Sequence, residues 1–369
     1  MRHLRSTLPL AALPIATLVC ALAAGPARAD DGPAQAPNAV PALKTFDDWI
    51  VGCDNIRRCT ATGHAPGRSA AGYVVIRRGA EAEAPVRIAL VTRTETPIKT
   101  PVTLSIRVDG HPVSGLPPQP LPAAPDANDD AGARVELEGA QATALLAALR
   151  EGKTLATTVT GADRPRTQST VSLSGAMNTF LHMDAQQMRT GTVTALATPG
   201  PAPASSVPPP PALPVLTPVL MTEMKDPPAT LPPGITPADP DDCPHASPPE
   251  AIRLSSGREL WSVCETQGAY NVLQHYWIVD QGRAAEAAFE VPGRRPETGS
   301  AAVLVNSGLS DDGLTVDTFM MGRGIGDCGM HAAWVWTGDR FQLAFFAEMD
   351  DCRGVPMDDW PILYTTKWK

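Results

Sequence analysis

The sequence predicts a mainly β protein with a few helices, built as two β-rich domains of the sandwich or barrel type joined by a proline-rich linker. Three observations carry this prediction. Short stretches rich in β-branched residues alternate with turn signals, fifteen prolines lie between Pro199 and Pro240, and six cysteines follow the N-terminal segment. The predicted parts are a signal peptide at 1–29, an N-terminal β-rich domain with two short helices at 40–197, the linker at 198–240, and a C-terminal β-hairpin domain at 241–369.

The first 29 residues have the composition of a cleaved signal peptide. Arg2 and Arg5 precede an apolar run at 8–24, and Ala-Arg-Ala at 27–29 provides a cleavage site. A membrane anchor is the alternative, but the run is short for a span of about 20 residues and contains two prolines. We therefore expect a periplasmic or secreted protein with no membrane span in the mature chain.

The mature chain is acidic. Removing residues 1–29 takes away three arginines and no acidic residue, which changes the net charge from −9 to −12. Nucleic-acid binding needs Lys and Arg clustered on one face to neutralise phosphates, so no nucleic-acid partner is expected. Docking on anionic lipid is not indicated for the same reason.

The six cysteines of the mature chain are expected to form three structural disulfides. An even number in an exported chain favours disulfides, although six cysteines allow fifteen connectivities. Zinc binding is the alternative, but the sequence has no C-x-x-C motif, and no metal or other cofactor is predicted. Local order favours the pairs Cys53–Cys59, Cys243–Cys264 and Cys328–Cys352.

Strands predominate in the region before the prolines. "DWIVGCD" and "CTATGH" flank a tight loop, so Cys53 and Cys59 would face each other across a hairpin. A short helix is predicted at 140–150, because three leucines share one face and a glycine follows its end. Further strand-like stretches are "GYVVIRRG", "PVRIALVTR", "VTLSIRVDG", "ARVELEG" and "TLATTVT".

A second helix is predicted in "SLSGAMNTFLHMDAQQMRTG", beginning with Ser174 as N-cap and ending at Gly191. Asp184 falls on its apolar face. A carboxylate in such a stripe is either a site residue with a perturbed pKa or the partner of a neighbour such as Arg189. The predicted apolar face contains Met177, Leu181 and Met188.

The region after the prolines is predicted to consist of β-hairpins. Strand pairs with alternating apolar residues are joined by Gly-containing turns, which is typical of a sandwich or small barrel. No internal repeat is apparent. The predicted turns lie at the Ser-Gly of "RLSSGREL", at Gln281-Gly282, at Asp311-Asp312-Gly313 and around Gly338.

The stretch "GRGIGDCGM" at 322–330 contains the dinucleotide-type pattern G-x-G-x-x-G at Gly324, Gly326 and Gly329. A dinucleotide loop must leave a strand and open a helix, whereas the following "MHAAWVWTG" is strand-like. Cys328 inside the pattern is better used in a bridge to Cys352. The glycines therefore indicate a loop, not a nucleotide site.

The same loop is the candidate ligand loop. Arg323 and Asp327 lie in it, and the predicted bridge would bring Arg353 near. These charges would either grip an anionic or polar ligand or form a surface ion pair worth under about 1 kcal/mol. Loops held by disulfides on β scaffolds often carry recognition, which favours this place for function.

No catalytic residue is predicted. The sequence lacks G-x-S-x-G, H-E-x-x-H and S-x-x-K, and its histidines are scattered. A triad assembled in space stays open, because its members need not be neighbours in sequence. Five tryptophans could form a sugar-stacking platform, although alternation within their strands favours a core role for most. They are Trp49, Trp261, Trp334, Trp336 and Trp360.

Several stretches together resemble an exported bacterial family known as domain of unknown function 1176. They are "FDDWIVGCDNIRRC", "VSLSGAMNTFLHMDAQQMRTGTVTAL", "RLSSGRELWSVCETQGAYN", "GRGIGDCG" and "WVWTGDRFQL" with the later "CRG" and Trp. The front half is also similar, over fewer positions, to invasion-associated locus B proteins. The resemblance implies a β-rich protein resident in the periplasm and carries no catalytic residues.

Together these observations predict a non-enzymatic binding or envelope-interaction protein whose partner is an envelope protein or a glycan. Two alternatives stay open. One is a hydrolase that acts on a cell-wall or glycan substrate through dispersed carboxylates, and the other is an inhibitor of a secreted hydrolase that acts through a protruding loop.

Overall fold

The computed structural model of the chain describes residues 39–67, 71–126, 129–162, 166–245 and 247–369. The predicted signal peptide at 1–29 lies outside these residues. The described residues are mainly β with two α-helices, which confirms the predicted fold class. They belong to one compact unit. Neither of the two helices is long and apolar enough to cross a membrane.

The N-terminal half, residues 39–197, contains both helices. Its strands are β1 (Lys44–Phe46), β2 (Trp49–Cys53), β3 (Cys59–His64), β4 (Gly72–Arg78), β5 (Val86–Arg93), β6 (Val102–Val108), β7 (His111–Pro112), β8 (Leu121–Asp126), β9 (Asp129–Leu137), β10 (Thr154–Thr160) and β11 (Thr167–Ser172). Its helices are α1 (Gly139–Glu151) and α2 (Ala176–Gln186).

These strands form one sheet in the order β1-β2-β3-β4-β5-β9-β8-β6-β10-β11, with β7 paired to β6. The sheet curves, so that β11 packs against β3, β4 and β5. The indole N–H of Trp49 donates to the carbonyl of Ser172 at 2.9 Å and ties β2 to the end of β11. Both helices share a largely aliphatic core with the inner face of this sheet.

Helix α1 lies where the leucine pattern places it. Leu145, Leu146 and Leu149 are buried against the sheet, as predicted from their spacing. The chain leaves the helix at Gly152, whose N–H donates to the carbonyl of Ala148 at 3.0 Å. This helix is therefore determined by local sequence.

Helix α2 departs from its prediction at both ends. It begins after Gly175, which has a φ of 91°, so Ser174 is not the N-cap. The Ser174 hydroxyl donates instead to Asp47 at 2.8 Å. A Cβ at Gly175 would lie 1.8 Å from the carbonyl oxygen of Phe46, so this close approach of β1 requires a glycine.

The apolar face predicted for α2 is wrong at Leu181 and Met188, whereas Met177 packs against the core as predicted. Leu181 and Met188 are 48% and 55% exposed, whereas Phe180 and Met183 are buried. The buried face is rotated because Phe180 packs edge-on against Trp49, with ring centroids 5.7 Å apart. The position of the sheet, not the spacing of the methionines, selects the face.

The proline-rich segment, residues 198–240, and the C-terminal half, residues 241–369, contain the remaining strands. They are β12 (Val215–Leu216), β13 (Thr222–Glu223), β14 (Glu250–Arg253), β15 (Glu259–Gln267), β16 (Val272–Asp280), β17 (Arg283–Glu286), β18 (Val303–Val305), β19 (Gly308–Leu309), β20 (Thr315–Met321), β21 (Gly329–Trp336), β22 (Phe341–Met349), β23 (Ile362–Thr365) and β24 (Lys367–Trp368). Short 3-10 helices occupy Ala204–Ser206, Ser255–Gly257 and Met357–Asp359.

The C-terminal half is a β-sandwich. One sheet has the order β13-β14-β15-β16-β17, with β18 paired to β16, and the other has the order β19-β20-β21-β22-β23. Apolar residues from both sheets form the core between them. Positive φ angles at Gln281, Gly282, Gly313 and Gly338 fit turns at three of the predicted positions.

The proline-rich segment lies on the C-terminal half. It supplies β12, which pairs with β24, and β13, which forms the edge of the first sandwich sheet. Met221 is buried in the sandwich core, and Ile235 packs on the outer face of the β15–β16 pair with Trp261 and Trp277. Whether the two halves are separate domains stays a prediction.

The outer face of the N-terminal sheet packs against the C-terminal half, and we call this contact the junction. Its centre is apolar. The N-terminal members are Ile50, Tyr73, Val75, Ala89 and Val91, and the C-terminal members are Cys328, Met349, Val355 and Trp360.

Two buried charged groups fasten the junction. The carboxylate of Asp359 accepts hydrogen bonds from Tyr73 Oη at 2.7 Å, Arg134 Nη1 at 2.7 Å and Arg77 Nη2 at 2.5 Å. Burial opposes ionisation, but these donors outweigh it and lower the pKa of Asp359. The second group is Arg353, which is described with the candidate ligand loop.

The structure contains three disulfides with the pairings that local order predicts: Cys53–Cys59, Cys243–Cys264 and Cys328–Cys352. Cys53 and Cys59 are opposite each other in the β2–β3 hairpin. Cys243–Cys264 ties the end of the proline-rich segment to β15. Cys328–Cys352 ties the start of β21 to the chain that follows β22.

Candidate functional site

The candidate ligand loop connects β20 to β21, so a strand follows its glycines and the loop does not open a helix. Gly326 and Gly329 have φ angles of 68° and 135°. A Cβ at Gly329 would lie 1.9 Å from the carbonyl oxygen of Met320, because the strands converge there. The glycines serve the turn, and the geometry of a dinucleotide site is not present here.

Arg323 and Asp327 form an ion pair inside this loop. Arg323 Nε donates to Asp327 Oδ1 at 2.6 Å, and Asp327 also accepts the N–H of Gly354 at 2.6 Å. Burial raises the pKa of Asp327, but the hydrogen bonds from Arg323 and Gly354 outweigh it and hold that pKa below its usual range. Asp327 thus links the loop to the chain after Cys352.

Arg353 uses other partners. Its guanidinium is buried and donates to Asp48 at 3.1 Å, to Asp351, and to the carbonyls of Ala65 and Gly67. These bonds fasten the C-terminal half to the β1–β2 turn and to the chain after β3. The direct partners of Arg353 therefore lie at the junction, whereas Arg323 and Asp327 pair with each other.

The tip of the loop exposes an apolar residue. Ile325 is 71% exposed, and Tyr270 in the β15–β16 turn lies beside Gly324 and is 42% exposed. The Asn271 side chain donates to the carbonyl of Met321 at 2.9 Å and couples the two turns. The loop thus presents an apolar tip on a base fixed by a disulfide and an ion pair.

Asp327, Cys328 and Cys352 are the one group among the described residues whose ligand atoms are close enough to hold a metal ion. The two sulfur atoms are joined to each other as a disulfide. A disulfide sulfur lacks the thiolate charge that binds metals, so this group is a bridge with a neighbouring carboxylate.

Asp184 has a structural environment. It accepts the backbone N–H groups of Leu196 and Ala197 at 2.7 and 2.8 Å. Burial raises the pKa of Asp184, although those donors and the nearby guanidinium groups of Arg78 and Arg189 oppose this shift. The guanidinium of Arg189 donates its hydrogen bonds to groups other than the Asp184 carboxylate. The carboxylate of Asp184 therefore fixes the chain after α2.

The five tryptophans that could have formed a sugar platform are buried, which confirms the core interpretation. Each indole N–H donates a hydrogen bond, as buried tryptophans usually do. The acceptors are the Ser172 carbonyl for Trp49, the Glu259 carboxylate for Trp261, the Glu290 carbonyl for Trp334, the Ser255 hydroxyl for Trp336 and the Val355 carbonyl for Trp360.

A different aromatic residue, Trp277, lies in the floor of a cleft of about 530 Å³ over the outer face of β15, β16 and β17. The proline-rich segment forms one wall and the Cys243–Cys264 disulfide contributes to the floor. We call this the ring-and-carboxylate cleft. Its lining consists of Gly234, Thr236, Pro237, Asp239, Val263, Cys264, Glu265, His275, Trp277, Ala284, Ala285 and Glu286.

His275 is the centre of this cleft. Its ring stacks on Trp277, with centroids 4.1 Å apart and planes inclined by 12°. Nε2 lies 3.1 Å from Glu286 and Nδ1 lies 3.6 Å from Glu265. The two carboxylates thus lie on either side of the imidazole, one within reach of each ring nitrogen.

The register of the strands builds this arrangement. Trp277 is opposite Glu286 in the β16–β17 pair, and His275 is two residues away on the same face. Glu265 lies where the β15–β16 register shifts between Cys264 and Thr266. A bulge reorients a side chain that would otherwise follow the alternation of side chains between the two faces of the strand. Here the bulge coincides with Glu265, whose carboxylate lies beside the ring of His275.

The sequence analysis missed this site. The alternation His275-x-Trp277 in a strand is a signal that places both rings on one face. Glu265 and Glu286 could not be assigned to that face, because the bulge and the pairing of β17 are not visible in the sequence. Asp239 comes from the segment expected to be a solvated linker end.

A second cleft of about 640 Å³ lies beside β3 and β4, and its lining also includes Asp358, Trp360 and Ile362 of the C-terminal half. Its arginines and acidic residues balance in charge. Arg58 pairs with Asp54 at 2.7 Å, and Arg77 pairs with Asp359. The arginines that line it are Arg58, Arg77, Arg78 and Arg87, and the acidic residues are Asp54, Glu81, Glu83 and Asp358. Its charges therefore favour no single class of ligand.

Residues 43–367 match the family described as "Protein of unknown function (DUF1176)". The chain belongs to this family. The resemblance inferred from its motifs is thereby confirmed. The uncharacterized protein YpfG of Escherichia coli (strain K12) is 28% identical over 349 residues, which cover 89% of this chain and 94% of YpfG. The crystal structure of invasion associated protein b from Bartonella henselae matches 40% of this chain and 99% of that chain, with 20% identity and a TM-score of 0.31.

Proposed function

We propose that this protein is an exported, non-enzymatic binding protein and that its ring-and-carboxylate cleft binds a glycan of the cell envelope. The observation that carries the proposal is the stacked pair of His275 and Trp277 between two carboxylates in an open cleft.

A sugar ring offers an apolar face of C–H groups and an edge of hydroxyl groups. A flat aromatic surface suits the first, and carboxylate oxygens, which only accept hydrogen bonds, suit the second. In this cleft the ring of His275, stacked on the buried Trp277, is the flat surface, and Glu265 and Glu286 flank that ring. Binding sites commonly combine an apolar surface with a few placed polar groups in this way.

The same carboxylates favour binding over hydrolysis. A glycosidase needs one carboxylic acid kept protonated by apolar surroundings. Glu265 and Glu286 are 47% and 62% exposed, and both face the same imidazole, so neither has the apolar surroundings of such an acid. Hydrolysis of a bound glycan is the outcome that would favour the hydrolase alternative.

The test is a binding screen with the purified mature chain against cell-envelope oligosaccharides, followed by titration calorimetry on those that bind. We expect His275→Ala and Glu286→Gln to weaken binding at least tenfold. Tyr270→Ala is the control, because it removes an exposed aromatic ring outside the cleft. Failure to bind any envelope glycan, or affinity unchanged in both cleft variants, would contradict the proposal.

Inhibition of a secreted hydrolase is a second candidate, favoured by the exposed Ile325 at the tip of a disulfide-held loop. A rigid loop loses little conformational entropy on binding. If the protein is such an inhibitor, it should form a stable complex with the enzyme. Ile325→Ser should weaken this complex, whereas His275→Ala should leave it unchanged. If no complex with a secreted hydrolase forms, this candidate is ruled out.

Export is part of the proposal and has its own test. Three disulfides suit an oxidising compartment. Fractionation of cells that make the full chain should recover it from the periplasm or medium, with an N-terminus at Asp30. An unprocessed chain in the cytoplasm would contradict this part.

A further inference from the structure

His64 ends β3 and belongs to the face of the N-terminal sheet that forms the junction. It is paired across the strands with Tyr73, a member of the junction, and paired residues point to the same face. His64 is fully buried, and neither ring nitrogen has a hydrogen-bond partner among the described residues. A buried polar group without a partner is uncommon and calls for an explanation.

Three charged groups face this imidazole: Arg353, Asp48 and Asp351. Arg353 pairs with both carboxylates and with two carbonyl groups at residues 65–67, directly after His64. Tyr73, paired with His64 across the strands, has its hydroxyl bonded to Asp359, and Arg93 Nη2 donates to the carbonyl of Gly354 at 2.5 Å. The ion pairs and hydrogen bonds of Arg353 thus form beside the uncharged ring of His64, which has no hydrogen-bond partner among the described residues.

We propose that His64 is an acid-sensitive release for the junction. In acid the imidazole takes up a proton, the new charge repels Arg353, and the segment 351–354 separates from the N-terminal sheet. Cys352 in that segment is bonded to Cys328, so the release also frees the base of the candidate ligand loop. The structure thereby couples proton uptake to the presentation of that loop.

The sign of the effect follows from the environment of the ring. Burial, with a contribution from the charge of Arg353, lowers the pKa of His64 from 6.5 to about 4. A released segment exposes the ring to water and restores its ordinary pKa. The open form therefore binds more protons between pH 6.5 and about pH 4, and the closed form loses stability as the pH falls through that window.

The release should be local. Asp359 is held ionised by its three donors, which lower its pKa, so its contacts with the N-terminal sheet persist at a pH where His64 is charged. Segment 351–354 would open while residues 357–360 stay attached. Both sheets should keep their backbone hydrogen bonds through the transition.

The test is hydrogen–deuterium exchange of the full chain between pH 6.5 and pH 4, with rates corrected for the intrinsic effect of pH. Peptides over 351–356 should lose at least tenfold protection, while the β-strands keep theirs. His64→Gln should keep the segment protected at pH 4. His111→Gln replaces an exposed histidine and should behave as the unmodified chain.

Equal protection of 351–356 at both pH values would overturn the proposal. The same loss of protection in His64→Gln would also overturn it and assign the release to Asp48 or Asp351. Circular dichroism at pH 7 checks that His64→Gln folds, and His64→Leu is the second variant. If neither folds, NMR titration of the His64 ring in the unmodified chain must show the same midpoint as the release, and separate midpoints would refute the coupling.

Discussion

The two halves of the molecule build their cores from different side chains. The N-terminal half has one curved sheet that closes around two helices, and its core consists mostly of Val, Ile, Leu and Ala. The C-terminal half has two facing sheets with a core of large rings. The aromatic residues of this sandwich core are Tyr276, Phe289, Trp334, Trp336, Phe341, Phe346 and Tyr364.

They also differ in how far apart in sequence the paired strands lie. In the C-terminal sandwich both main strand orders follow the chain, and most neighbours are joined by short turns; the β13–β14 and β22–β23 connections are longer. In the N-terminal sheet β5 pairs with β9 and β6 pairs with β10. Local hairpin signals therefore suffice to order the C-terminal strands, whereas the N-terminal order depends on long-range pairing.

Truncation of one core residue in each half gives the largest expected effects. Trp334→Ala should cost about 3–5 kcal/mol of unfolding free energy, because it leaves a ring-sized cavity beside Phe289. Leu145→Ala in α1 should cost about 2–5 kcal/mol, since fewer atoms are removed. Urea unfolding followed by circular dichroism measures both. A larger loss for Leu145→Ala would contradict the view that the rings dominate the C-terminal core.

Removal of the junction carboxylate tests how the halves are held together. Asp359→Ala leaves two guanidinium groups and the Tyr73 hydroxyl without their buried acceptor, so we expect a loss of about 3 kcal/mol. Asp358→Ala alters the exposed neighbour and serves as the control. A broader or two-step unfolding curve for Asp359→Ala would show that the halves then unfold separately, whereas equal stability of the two variants would mean that the carboxylate contributes little.

Loss of disulfides should affect the halves unequally. The Cys53–Cys59 bridge spans 6 residues and the Cys243–Cys264 bridge spans 21. On the chain-entropy estimate, replacing each pair by alanine costs about 2 and about 3 kcal/mol, because the longer loop gains more freedom in the unfolded chain. Thermal unfolding under non-reducing conditions gives the comparison. A reversed order would indicate that native contacts, not loop entropy, set the contribution.

The smallest effect is expected for a surface ion pair. Arg87 Nε lies 2.9 Å from Glu138, and both side chains are more than half exposed. Arg87→Ala should change the unfolding free energy by less than about 1 kcal/mol, because water screens the pair. Denaturation at low and high salt measures it. A loss comparable with that of Asp359→Ala would erase the distinction between surface and junction ion pairs.

The mainly β class, the helix at α1, the three disulfide pairings and most hairpin turns were predictable from sequence. Each depends on residues close together in the chain: the bridges span at most 24 residues, and α1 follows from its own leucines. The arrangement of the candidate ligand loop was harder to predict from the sequence. Arg323 and Asp327 form an ion pair, as their spacing allows, but Arg353 forms its ion pair with Asp48, about 300 residues away in the chain.

The amino-acid sequence by itself determined which segments form strands, where the chain turns and which sulfurs meet, because these depend on propensities and short loops. Only the tertiary structure decided which faces are covered. The close approach of Phe46 sets the start of α2, and the pairing of β17 brings Glu286 to His275. The packing of the halves buries His64, whose ring has no hydrogen-bond partner within the part of the chain that the structure describes. Such outcomes depend on the register and packing of distant strands, which no local pattern specifies.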